Sequence, residues 1–254
     1  GTKTGAGISR VAAPMFKKLS LELGGKNPNV IFADCEYDRM LKTTVLSSFS
    51  NQGQICLCGS RVFVERPLYE RFKKDFVAAV KARKLGDPLD ETSQVGAVVS
   101  ESHTKKVLSY IELAKQEGGT ILTGGKQTKV SGRCAGGWFI EPTIIEGLPY
   151  NCRTNQEEIF GPVVTIMPFK TEAELLQYAN STPYGLSATV WTRDVYKATR
   201  MAERLKGKKI ADTIFGTLGW RNADSFVMTD EELQAKQEKE GPPPPPPEIE
   251  VKLK

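Results

Sequence analysis

The chain has 254 residues, 39% of them hydrophobic and 26% charged, a length and balance that suit a sizeable buried core and exclude a fibrous or wholly disordered protein. Its 35 basic and 30 acidic residues leave a net charge of +5 without a long basic run, which argues against a nucleic-acid partner. The five cysteines, Cys35, Cys56, Cys58, Cys134 and Cys152, are irregularly spaced and odd in number. With no signal peptide and no apolar run of membrane length, they point to a reducing, cytoplasmic setting and no membrane partner.

In chain order, Leu19 to Leu23 and Asn29 to Phe32 read as short strands. Asp38 to Ser50 reads as an amphipathic helix with Met40, Leu41, Thr44, Val45 and Phe49 on one face. Arg61 to Val64 follows as a strand. Pro67 to Arg83 is a helix opened by proline in its first turn, and Ser102 to Glu117 a helix ended by Gly118-Gly119. Val163 to Phe169 is a strand. Thr171 opens the next helix with Glu174 three residues on, the spacing of a capping box. Leu186 to Trp191 is a strand, and Asp194 to Lys206 is helical. This alternation predicts an α/β fold with a mostly parallel sheet flanked by helices. Beyond it, Thr229 to Glu240 is highly charged, and the six prolines after Gly241 must run as polyproline II. That tail reads as a solvated spacer or, alternatively, as a ligand for an SH3 or WW groove, which would make the chain a non-catalytic interaction module.

Two motifs carry chemistry. Phe49-Ser-Asn-Gln-Gly-Gln-Ile-Cys-Leu-Cys-Gly-Ser-Arg61 sets Cys56 on a Gly-containing turn between a predicted helix and strand, an accessible place where a thiolate can react. Upstream, Leu21-Glu-Leu-Gly-Gly-Lys-Asn-Pro28 places Glu22 beside a glycine pair, where a carboxylate can activate water. Taken singly, Cys56 reads as a buried structural cysteine and Glu22 as a surface carboxylate. The chain has one histidine, His103, and no second Cys pair, so a zinc site and a Cys-His hydrolase are both disfavoured. Gly124-Gly-Lys126 lacks the spacing of a phosphate loop.

Together these motifs resemble the glutamate and cysteine active-site motifs of the aldehyde dehydrogenase superfamily. The resemblance implies Cys56 as nucleophile and Glu22 as general base. Glu157-Glu-Ile-Phe-Gly-Pro162 resembles the family segment that meets NAD, which implies Glu158 at the nicotinamide ribose and Phe160 at the ring. Thr104-Lys-Lys-Val-Leu-Ser-Tyr-Ile111 resembles the helix that reaches the other ribose, which implies His103 and Lys106 as cofactor contacts, with Leu23 also on the cofactor side. The wording around both motifs looks most like the branch that oxidises 2-aminomuconic semialdehyde. The implied chemistry is oxidation of a small-molecule aldehyde to an acid with NAD, through a thiohemiacetal and a thioester on Cys56.

The resemblance extends over residues 1 to 206. It implies a remnant of the cofactor-binding domain at 1–23, in which Gly1-Thr-Lys-Thr-Gly5 resembles the end of the family's Gly-Ser/Thr-rich cofactor loop, the catalytic domain at 24–206, and a divergent, disordered tail with a proline-rich linker at 207–254. Family members are typically homo-oligomers. Neither the family's opening Rossmann strands nor its terminal subunit-pairing strand has a counterpart here, so the sequence reads as a fragment cut at both ends, expected to lack activity alone.

Overall fold

In a computed structural model, residues 1–206 and a two-residue strand at 214–215 are described; the charged and proline-rich tail lies outside the described residues. The chain opens with helix α1 (Thr2–Ala12), which buries only Gly5. A seven-stranded sheet then assembles from β1 (Pro28–Ile31), β2 (Arg61–Glu65), β3 (Thr120–Thr123), β6 (Thr143–Glu146), β7 (Val163–Phe169), β8 (Thr189–Trp191) and β9 (Ile214–Phe215), in the spatial order β3-β6-β7-β2-β1-β8-β9. Every pairing is parallel except β3 with β6 at one edge. A separate two-stranded ribbon pairs β4 (Gln127–Thr128) with β5 (Phe139–Ile140). The helices are α2 (Tyr37–Phe49), α3 (Arg66–Lys81), α4 (Glu101–Gln116), the single turn α5 (Arg153–Gln156), α6 (Glu172–Ala179) and α7 (Val195–Arg204).

The central strands are buried on both faces, as a parallel sheet requires, and their two-residue alternation distributes side chains between two cores. Ile31, Val62, Val64, Val164 and Ile166 meet Met40, Phe49, Phe72 and Phe76 of α2 and α3 on one face. Val30, Phe32, Phe63 and Phe169 meet Leu175, Leu176 and Met201 of α6 and α7 on the other. A third cluster packs Val107, Ile111 and Ala114 of α4 against Ile145 and Val163.

The expected α/β class and the strands and helices from Asn29 onward are present, with ends moved by a residue or two; the strand expected from Leu186 begins only at Thr189. Three expectations at other places fail. Leu19 to Leu23 forms no strand, because that stretch has no neighbouring strand to pair with and leaves Leu19 and Leu21 exposed. Gly1 to Gly5 is not a loop but enters α1, its amides taken up by helical bonds such as Gly5 N–H to Gly1 O at 2.9 Å. At Thr171 the hydroxyl accepts from Glu174 N–H at 3.2 Å, but the Glu174 carboxylate reaches back to Lys170 N–H at 2.7 Å rather than to Thr171.

Candidate active site

The topology brings the two sequence motifs and the Glu158 segment to one place. Residues 22–27 lead into β1, residues 51–60 into β2 and residues 157–162 into β7, and these three strands are neighbours running in parallel. The three lead-in segments therefore converge at the amino ends of adjacent strands, whereas ligand sites in open α/β sheets usually lie at the carboxyl ends.

Cys56 sits on a turn closed by Cys58 N–H to Ile55 O at 3.1 Å and is partly exposed. Its own N–H has no acceptor among the described residues. An open recess collects Cys56, Cys58, Ser48, Gly25, Glu158 and Phe160. The turn is held from below by the buried Asn27, whose Nδ2 donates to Cys56 O at 2.6 Å and to Cys58 O at 3.0 Å while its Oδ1 accepts from Ser187 N–H at 3.2 Å. Gly25 must be glycine, because a Cβ there would collide with the Cys56 carbonyl oxygen. Ahead of the cysteine, Asn51, Gln52 and Gly53 are three consecutive residues with positive φ (47°, 55° and 68°). A Cβ on Gly53 would overlap the carbonyl oxygen of Gly161, so here too the loop requires close backbone approach.

Desolvation raises the thiols of Cys35, Cys58 and Cys152 to about 11 in each case, leaving them almost wholly protonated near neutrality.

Glu158 and Phe160 both line the recess. Glu158 Oε1 accepts from Gly25 N–H at 2.8 Å, while Oε2 accepts from nothing among the described residues. Phe160 holds φ at 62°. His103 and Lys106 do not line the recess. They touch the backbone of that same turn, His103 Nε2 with Phe160 O at 2.6 Å and Lys106 Nζ with Glu158 O at 3.1 Å. Glu22 is exposed and outside the recess lining, three residues before Gly25; Leu23 is half-buried and packs toward Gly5 of α1.

Sequence reasoning missed three residues that build this site. Asn27 fixes the Cys56 turn. Arg61 is buried and donates to Lys26 O, Tyr178 O and Ala179 O at 2.9, 2.9 and 2.8 Å, tying the lead-in of β1 to the end of α6. Lys26 is 2% exposed. Burial, and then the Arg61 cation nearby, lower its pKa to about 7, against the opposing pull of Cys152 and Glu158. Only the burial of these polar residues, Lys26 and Asn27 between Gly25 and Pro28 and Arg61 at the start of β2, would have signalled them, and that is not visible in a string.

Lys26 has a measurable consequence. Its folded pKa lies below the unfolded value of 10.5, so between about pH 7 and 10 the unfolded chain binds the extra proton and this group's contribution to stability rises with pH, falling as pH drops toward 7. Lys26→Met should remove that slope. Urea midpoints at pH 7 and pH 9 should therefore differ by less in the variant than in the parent chain; the same difference in both would refute the assignment.

Among the described residues no cluster of three or more His, Cys, Asp and Glu could hold a metal ion, and no helix is long and apolar enough to cross a membrane. The model of the aldehyde dehydrogenase family matches residues 1–211. The 2-aminomuconic 6-semialdehyde dehydrogenase of a Pseudomonas species is 45% identical over 205 residues, covering 81% of this chain and 42% of its own length. The 2-aminomuconic semialdehyde dehydrogenase of Danio rerio is 48% identical over 207 residues, with the same coverages. Among solved structures, betaine aldehyde dehydrogenase from Staphylococcus aureus in complex with NAD+ superposes with a TM-score of 0.78 at 39% identity over 82% of this chain and 41% of that one. The chain thus spans about two fifths of the length of the relatives it matches.

Proposed function

The chain belongs to the aldehyde dehydrogenase family, and from that membership we infer that it carries the thiol chemistry of an NAD-dependent oxidation of an aldehyde to a carboxylic acid. The observation that carries this reading is Cys56 itself, a partly exposed thiol whose own N–H has no acceptor among the described residues, in a recess shared with Glu158 and Phe160.

Cys56, as thiolate, adds to the aldehyde carbon to form a thiohemiacetal. The free Cys56 N–H is placed to donate to the developing oxyanion, a kind of contact worth about 10²–10³ in rate. NAD, when bound, supplies the acceptor for the hydride that leaves the adduct, and a thioester on Cys56 remains. Glu22 takes a proton from the water that hydrolyses it, releasing the acid and the thiol. Support for Glu22 comes from its match to the family motif and its place on the strand lead-in that contacts the Cys56 turn through Gly25.

The residues present fit NAD. Glu158 Oε2 lacks a partner among the described residues and can accept from a ribose hydroxyl, and the Phe160 ring offers an apolar face at the same recess as the thiol. We read residues 1–23 as the cofactor-domain portion and 24–206 as the catalytic portion, a division supported by α1 burying only Gly5. Leu23 falls at that border. The proposed substrate is a semialdehyde of the muconic type, supported by the 45–48% identity to 2-aminomuconic semialdehyde dehydrogenases. A cytoplasmic setting is supported by five free cysteines.

The test joins the chain to the segments its relatives carry beyond the matched two fifths, supplies the joined protein with NAD and 2-aminomuconic semialdehyde, follows NADH by its near-ultraviolet absorbance, and searches for an acyl adduct by mass spectrometry. NADH formation with an acyl group trapped on Cys56 is the expected result. Neither NADH nor adduct under saturating NAD would overturn the reading.

A further inference from the structure

We propose that the segment from Val99 to Val107, which leads into and opens α4, is a bracket that fixes the Glu158–Phe160 turn against the Cys56 loop, with His103 as its principal positioning residue. The proposal rests on the reading of Glu158 and Phe160 as cofactor contacts, and it gives His103 and Lys106 a role through that turn instead of a direct hold on the cofactor.

Four contacts converge from this one element. Val99 N–H donates to Gln54 Oε1 at 3.0 Å, two residues before the thiol. His103 Nε2 lies 2.6 Å from Phe160 O; a carbonyl only accepts, so the ring is the donor and carries its proton on Nε2. Lys106 Nζ donates to Glu158 O at 3.1 Å. The next residue, Val107, packs so closely on Gly161 that a Cβ there would meet Val107 Cγ2 at 2.5 Å. The bracket is itself rigid at its origin: Ser100 Oγ caps the helix by accepting from His103 N–H at 3.2 Å, and Thr104 Oγ1 donates to Ser100 O at 2.9 Å.

What the bracket restrains is a backbone that would not stay in place unaided. Phe160 holds φ at 62°, a left-handed conformation that a bulky residue adopts only where its surroundings over-determine it. The carbonyl of the strained residue and that of Glu158, two residues before it, are the two that α4 clasps. The His103 ring also meets the Phe160 ring edge-on, with centroids 6.1 Å apart at 74°, so one side chain steadies both the backbone and the ring of its partner. A relaxed Phe160 would carry its ring away from the recess and free Glu158 with it. The fixed turn is pre-organised, and its ordering need not be supplied at binding.

Nitrogen-15 relaxation of the backbone from Glu158 to Gly161 tests this in the full chain. In the parent the order parameters should sit near the rigid value of about 0.85, and in His103→Leu they should fall below about 0.6 at these residues alone. His103→Gln, whose amide can still donate to Phe160 O, should restore them. Lys106→Met, at a surface position that folding tolerates, should loosen Glu158 specifically and stands in for His103→Leu if that variant does not fold. Unchanged order at 158–161 in both variants, or loosening spread evenly through the sheet, would overturn the proposal. Calorimetric titration with NAD is the second arm: affinity should drop about tenfold in His103→Leu and recover in His103→Gln. Local loosening in a chain that does not bind NAD at all would leave the bracket standing and defeat the cofactor reading instead.

Discussion

Cys56→Ala should abolish the burst of p-nitrophenolate released when the chain meets p-nitrophenyl acetate. This activated ester delivers an acyl group directly to the thiol, so it reports the nucleophile and the oxyanion donor without any hydride transfer. The parent chain should release one equivalent rapidly and then turn over slowly. In Glu22→Gln the first equivalent should appear at the parent rate, but hydrolysis of the thioester should slow by roughly 10²–10⁴-fold, the usual worth of a positioned general base. The pair of variants separates the two roles: a burst that survives Cys56→Ala places the nucleophile elsewhere, and an unslowed second phase in Glu22→Gln removes the base from Glu22. Cys58 will not substitute for its neighbour, because its buried thiol is held near a pKa of about 11.

Arg61→Leu should destabilise the fold by about 4 kcal/mol, the cost of leaving three buried carbonyls without a donor. The guanidinium is 2% exposed and its three nitrogens serve Lys26 O, Tyr178 O and Ala179 O, spanning from the lead-in of β1 to the end of α6. Burial lowers its pKa to about 9, still well above neutrality, so the fork remains charged and each bond is charge-assisted. Arg61→Lys, with one cationic point in place of a planar fork, should recover only part of the loss. Urea unfolding at pH 7 measures both; an Arg61→Leu midpoint within error of the parent would show that the carbonyls find water instead.

How much of this the string disclosed depended on how local each cause was. β7 was legible because Val163 to Phe169 is a continuous run bounded by Pro162 and a capped helix, signals contained within a dozen residues. Thr120–Thr123 and Thr143–Glu146 went unread: each is four residues long, and their strand character comes from pairing with each other across an intervening ribbon. α1 was hidden by its glycines, which read as loop although the helix tolerates them. At the site, Cys56 was legible from its flanking residues, and the motifs named Glu158 and Phe160. Asn27 and Arg61 were not, since their partners lie at Cys56, Ser187 and Tyr178 and become neighbours only when the strands pair. The motif resemblance named His103 and Lys106 as cofactor contacts, but a sequence cannot show that their contacts within the chain are two backbone carbonyls, Phe160 O and Glu158 O.

The collision course between Gly53 and the Gly161 carbonyl also dictates an order of events in folding. The left-handed run Asn51–Gly53 finds its seat only against a segment about a hundred residues further on, and closing so long a loop is an entropic cost met late, after the local helices have formed. Until β7 docks beside β2, the left-handed run ahead of Cys56 lacks its seat on Gly161, and the recess lacks the wall that Glu158 and Phe160 supply. The recess around the nucleophile is therefore completed among the last features of the molecule, and a chain whose synthesis halts before residue 161 carries the cysteine without the pocket.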